Sequence, residues 1–325
     1  MAALAAGALL SGCAAPADLD GEVLAAGPGA APAPASAPAP PRVPGAPAVP
    51  LVVDTDLGAD DVLALAFLLR SPEVDVRAVT VAATGLVRCE PGVDVVAGLF
   101  SALGVEPVPV ACGRADPGPA GRAFPAAWRS AAEAGSGVTP VPGTPVGQPA
   151  ADLLAEQARD VPGLVLVAIG PMTNVADLAA RHPDDYVRLT GIHAMAGSVS
   201  GPPVDGVAEW NAAADPESLT AVLTSSVPVT VVPADAVPTG TPAAALAAPV
   251  VGRVAAASAL PSWWDLAAAA ALVTPDAGTG ERGGWRLDPS EPGRLRRSGA
   301  GTVTVHRSLG APALEAQYTR VFRAS

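Results

Sequence analysis

Short, almost wholly apolar runs rich in β-branched residues recur along the chain from Val49 onward, at 49–54, 76–82, 108–111, 164–169, 192–196 and 227–232. They do not alternate polar with apolar, so each predicts a strand buried on both faces, as in a parallel sheet covered by helices. Between them, 60–69, 92–103, 150–159, 174–181 and 216–224 carry apolar residues at helical spacing. Asp215 before Pro216 gives one of these helices an N-cap followed by proline in its first turn. The βαβα order predicts an α/β fold, a doubly wound, mainly parallel sheet flanked by helices, which binds ligands outside the carboxyl ends of its strands. Two further strands are expected near 302–306 and 318–322, as a hairpin at the sheet edge.

The first 48 residues break the pattern. Residues 1–13 read as a lipoprotein-type signal peptide, an apolar run closing on Leu10-Ser11-Gly12-Cys13. This resembles the lipobox of bacterial lipoproteins, in which the cysteine is lipidated. Residues 14–48 are Ala/Pro-rich, with too few large side chains to offset ordering entropy, and read as a disordered tether. The folded domain is assigned to 49–325. The reading is an exported protein, lipid-anchored to the bacterial cell membrane on its outer side, with the anchor as its sole membrane contact.

Composition narrows the chemistry. All 19 basic residues are arginine, and the formal net charge is −12. Without a basic stripe, a nucleic acid polymer is not expected as partner. Three scattered histidines, with no CxxC pair or HExxH helix, give no zinc site. Cys89 and Cys112 either pair outside the cytoplasm or stand as two buried thiols. The sequence leaves a homo-oligomer open.

The densest chemistry lies where the first strand ends, in Asp54-Thr55-Asp56-Leu57-Gly58-Ala59-Asp60-Asp61. Carboxylates crowded this closely repel one another unless a cation sits among them, and Ca²⁺ suits a set of several oxygen ligands. Two more polar loops follow later strands, Gly170-Pro171-Met172-Thr173-Asn174 and the stretch from Gly197 to Asn211, so three loops converge on one crevice.

With Ala168-Ile169-Gly170-Pro171-Met172-Thr173-Asn174, Ala208-Glu209-Trp210-Asn211, Asp215-Pro216-Glu217 and Trp264-Asp265 following in order, the acidic loop resembles the nucleoside hydrolase family, inosine-uridine preferring type included. The resemblance spans roughly residues 49–275. It implies calcium-dependent hydrolysis of the N-glycosidic bond of a small-molecule nucleoside or related riboside. On the matching positions, Asp56 is the catalytic residue, a calcium ligand that takes the proton of the metal-bound water. Asp61, Asp265 and the carbonyl of Ile169 complete the metal set. Asp60, Glu209 and Asn211 hold the sugar, and Asp54 stands behind them. Asn174 and Asp215 are read as helix caps, outside the site.

The chain departs from the family pattern in places. Thr84-Gly85 stands where an asparagine is common, the position of the family's sugar-binding asparagine falls near Pro203, which cannot replace it, and Trp264 stands in place of a histidine thought to assist the leaving base. Trp210 and Trp264 are assigned to an aromatic slot for a flat aglycone. The departures also give an alternative, a catalytically impaired calcium- and sugar-binding surface lipoprotein. Asp54-x-Asp56 resembles haloacid dehalogenase phosphatases as well, but the lysine their chemistry needs is absent.

Overall fold

The structure is a computed structural model that describes residues 47–134 and 137–323. The lipobox, and all of the tether but its last residues, lie outside the described residues. Eight strands form one sheet: β1 Val49–Thr55, β2 Val74–Val81, β3 Val110–Cys112, β4 Val165–Ala168, β5 Gly191–Met195, β6 Val229–Val232, β7 Gly278–Leu287 and β8 Leu295–Leu309. Their order is β3-β2-β1-β4-β5-β6-β8-β7. Every neighbouring pair is parallel except β7 with β8. The chain winds outward from β1 through β2 to β3, then crosses back to lay β4 on β1's other edge. The switch point of the doubly wound sheet therefore falls between β1 and β4, the place beyond the strand ends where such folds bind ligands.

Alternate residues of β1 feed different cores, as a strand covered on both faces requires. Leu51 and Val53 join the helices Ala59–Arg70, Cys89–Leu103, Trp264–Val273 and Ala311–Arg323. Val52 faces the opposite core, built from the helices Ala150–Asp160, Thr173–Arg181 and Pro216–Leu223. The helix Trp264–Val273 is buried almost all round, and half of its residues are alanine. Small side chains let it pack closely against Ala59–Arg70.

The C-terminal expectation needs correcting. The hairpin pairs β7 with β8, and β8 lies parallel on β6 inside the sheet. Residues 318–322 belong to the helix Ala311–Arg323. Tyr318 and Phe322 are four apart and both pack edge-on against Phe67, at 5.9 Å in each case. That spacing is helical, and it outweighs the strand propensity of the aromatic residues. Cys89 and Cys112 form a disulfide, which ties the start of the second helix to the end of β3. Among the described residues no helix is long and apolar enough to cross a membrane.

Candidate active site

The acidic loop folds into a tight turn at the switch point. Leu57 is buried with φ +59°, a left-handed conformation that costs a non-glycine residue about 1–2 kcal/mol. Asp61 holds this turn together: its Oδ1 accepts from Thr55 Oγ1 at 2.6 Å and Asp56 N at 3.1 Å, its Oδ2 from Gly58 N at 3.0 Å. Asp56 is held from the next loop, where Leu86 N donates to Oδ2 at 2.9 Å. Gly85 allows that approach, since a Cβ there would lie 2.1 Å from Asp56 Oδ2.

Asp60 and Asp61 lie in the first turn of one helix and Asp265 in the first turn of another. Close packing of the two helices brings these buried carboxylates together, with ligating oxygens within 4.8 Å of one another. Both helix N-termini favour negative charge, which partly offsets the crowding. No arginine or histidine among the described residues forms an ion pair with Asp54, Asp56, Asp60, Asp61 or Asp265. Asp265 Oδ1 is buried without a hydrogen-bond partner.

The acids respond accordingly. Burial, then the charge of Asp61, pushes the Asp60 carboxyl up to about 7. Burial also carries Asp54 to about 7 against the hydrogen bonds of Thr80 and Asn174. Asp56 and Asp265 stand well above the ordinary carboxylate range, first through burial. Asp61 then raises Asp56, while Asp60 and Asp61 raise Asp265. Asp61 is raised by burial, opposed by the Thr55 hydroxyl. Buried carboxylates with no counter-charge and an orphaned oxygen are what a hard cation with several oxygen ligands would satisfy, so the donor set fits a metal ion.

The expected sugar-side residues converge on the same crevice. Glu209 caps the short helix Trp210–Ala214, accepting from Asn211 N and Ala212 N, and its Oε2 also takes Gly197 N at 2.6 Å. Burial raises its carboxyl, opposed by those N–H groups. Asn211 Nδ2 donates to the carbonyl of Ile169 at 2.9 Å and to that of Met195 at 3.3 Å. It thus fixes the carbonyl that resemblance assigns to the metal. Asp60, Glu209 and Asn211 each keep 8% of their surface accessible.

Some placements differ from expectation. Asp215 is the cap predicted, accepting from Ser218 N. Asn174 is no cap: it lies inside the first turn of its helix and donates to Asp54 Oδ1 at 2.7 Å, beside Thr80 Oγ1 at 2.5 Å. Trp210 meets Phe124 and Trp128, at 5.4 and 5.2 Å, and no ring contact joins it to Trp264 among the described residues. Trp264 instead packs, partly buried, at the margin of the core around Ala59–Arg70.

Phe124 and Trp128 escaped the sequence reading, as did the helix Ala126–Ala134 that carries Trp128. That helix buries none of its residues and touches both the loop after β2 and Trp210. Arg129 donates to Ala83 O at 3.0 Å and Glu133 pairs with Arg88 at 2.7 Å, while Trp128, 38% exposed, reaches Trp210. The only local sign of it is Pro125 followed by an alanine-rich stretch that carries Trp128.

Comparison with known proteins agrees with this fold. The sequence model of the inosine-uridine preferring nucleoside hydrolase family matches residues 51–287. The chain belongs to that family. Pyrimidine-specific ribonucleoside hydrolases RihA from Salmonella arizonae and Klebsiella pneumoniae are each 33% identical to it over 183 residues, 55% of this chain. The chain spans 58% of the length of these curated relatives. Among solved structures, the inosine-uridine preferring nucleoside hydrolase of Bacillus anthracis superposes with a TM-score of 0.70 at 21% identity, covering 85% of this chain and 99% of that one. The purine-preferring ribonucleoside hydrolase of Gardnerella vaginalis gives 0.72 at 22% identity, covering 85% and 100%. These neighbours share the nucleoside hydrolase fold with the chain.

Proposed function

We propose that this chain is a calcium-dependent N-ribohydrolase that cleaves the glycosidic bond of nucleosides or related ribosides with water. The observation that carries the reading is the buried, uncompensated carboxylate cluster at the β1/β4 switch point, in a chain of the nucleoside hydrolase family. Asp56, Asp61, Asp265 and the Ile169 carbonyl would hold the ion, with Asp60 beside them. Calcium, when bound, supplies charge and an oxygen-rich coordination sphere that orients water and sugar hydroxyls.

The chain's own groups do the rest. Asp56 accepts the proton of the attacking water, its Oδ2 steadied by Leu86 N–H. Asp54, gripped by Thr80 and Asn174, supports the turn from behind. Asp60, Glu209 and Asn211 orient the ribose, whose ring develops positive charge as the bond breaks. Trp210, Phe124 and Trp128 offer ring faces to a flat aglycone. We place the protein outside the cytoplasm, lipid-anchored through Cys13. The Cys89–Cys112 disulfide supports an oxidising compartment.

A second reading, calcium and sugar binding without useful turnover, draws on Trp264 in the place of the family's histidine. Release of nitrophenol from p-nitrophenyl riboside separates the two, because this aglycone departs without protonation. Calcium-dependent turnover abolished by chelator and by Asp56→Ala supports the hydrolase. A folded chain that binds calcium but releases no nitrophenol favours the binding protein.

A further inference from the structure

The turn at 288–294, between β7 and β8, lies beyond the residues that match the family model, yet it is built into the sugar side of the crevice. It meets the loop that begins at Gly197 and ends on Glu209 through main-chain bonds along its length. Ser198 N donates to Gly293 O at 3.0 Å, Ala208 N to Pro292 O at 2.7 Å, and Leu295 N to Ser198 O at 2.9 Å. Arg294 is buried beneath them. Its guanidinium reaches Ser198 Oγ at 3.0 Å and Gly201 O at 2.6 Å while pairing with Glu291.

Gly293 supplies the close approach. Its φ is +79°, and a Cβ there would lie 2.1 Å from the carbonyl oxygen of Glu209 and 2.5 Å from its nitrogen. The turn is rigid in itself: Asp288 N donates to Arg294 O, Ser290 N and Oγ to Asp288 Oδ1, and Arg296 pairs with Asp288. From another side Asp235 takes Val199 N at 2.8 Å and Ser200 N at 2.7 Å. Glu209 then closes the loop on itself through Gly197 N.

We propose that Arg294 and Gly293 are positioning residues for Glu209: the hairpin turn is a clamp that sets where this carboxylate meets the sugar. The inference rests on the reading of Glu209 as a ribose contact. A buried guanidinium holding a serine hydroxyl and a carbonyl has a fork geometry that an aliphatic chain cannot replace. Misplacing a substrate-orienting group by about 1 Å costs about 100-fold in rate.

A double-mutant cycle on p-nitrophenyl riboside turnover tests the clamp, with calcium affinity measured on the same proteins by calorimetry. Arg294→Met is expected to lower kcat/KM by about 10- to 100-fold while calcium affinity stays within about 2-fold of wild type. In a Glu209→Gln background the same change is expected to cost less than about 2-fold, since its effect passes through Glu209. Should Arg294→Met fail to fold, Ser198→Ala removes one contact of the guanidinium and enters the same cycle with a smaller loss. Equal losses in both backgrounds, or an Arg294→Met enzyme as active as wild type, overturn the clamp and leave the hydrolase standing. Wild-type protein without turnover overturns the hydrolase reading, and the clamp's role in turnover with it.

Discussion

The two halves of the crevice are built in opposite ways. On the cation side, Asp54 to Asp61 arrive as one stretch of chain, and the one distant carboxylate of the cluster, Asp265, is delivered by the packing of one alanine-rich helix on another. On the sugar and aglycone side, Glu209, Trp210 and Asn211 depend on segments far away in sequence: Ile169, Gly197, Phe124, Trp128 and the 288–294 turn. A contiguous acidic motif can keep its geometry while the distant segments vary. On the proposed reading, the metal chemistry is the fixed half, and substrate choice belongs to the assembled half.

Substitutions can break that division. The largest effect is expected at Asp56. Asp56→Ala should lower turnover of p-nitrophenyl riboside by about 10²–10⁴-fold, the range of a positioned proton acceptor. A comparable loss from Trp128→Ala would show that the halves are not separable. Next in size is the disulfide, which braces the cation half because Cys89 follows the loop cupping Asp56. Cys89→Ser with Cys112→Ser should reduce unfolding free energy by about 3 kcal/mol in chemical denaturation, with calcium affinity retained.

Smaller again is Trp128→Ala, which should raise KM for aryl ribosides by about 10-fold through lost ring contacts, leaving calcium affinity untouched. Titration calorimetry beside steady-state kinetics reads both quantities.

The smallest effect concerns pH. Asp54 and Asp60, raised to about 7 in the fold, bind protons more readily folded than unfolded. Their contribution to stability is full at low pH and is lost as pH climbs from about 4 to about 7 in metal-free protein. Buried His193, lowered to about 4, acts in the opposite sense, weakening the fold as pH falls below about 6.5. Comparing Tm with and without calcium cancels the histidine. The calcium-induced rise should therefore be larger at about pH 8 than at about pH 5, and equal rises at both would remove the carboxylates from the account.

What could be read from the chain follows the same division. The strands β1 to β6 and most of the helices between them were legible because burial on both faces leaves an unbroken apolar run. The acidic loop was legible because its residues are adjacent. Asn174 was misjudged because a polar residue at a helix start looks like a cap, and only the tertiary fold aims it at Asp54. Trp210 found Phe124 and Trp128 rather than Trp264, a pairing that no spacing encodes. The C-terminal helix was hidden because Tyr318 and Phe322 favour strands locally, while their helical spacing serves contact with Phe67. The proposed clamp at 288–294 joins main-chain contacts to one buried arginine, and neither leaves a mark on the hydrophobic pattern.

The most direct test is calorimetric titration of calcium into chelator-treated protein near neutral pH, with Asp265→Asn alongside. Saturable binding of a single calcium by the wild type, lost or severely weakened in a folded Asp265→Asn variant, is the predicted result. A folded wild-type protein that takes up no calcium, or binds it equally well without the Asp265 carboxylate, would contradict the claim that the buried cluster is a cation site.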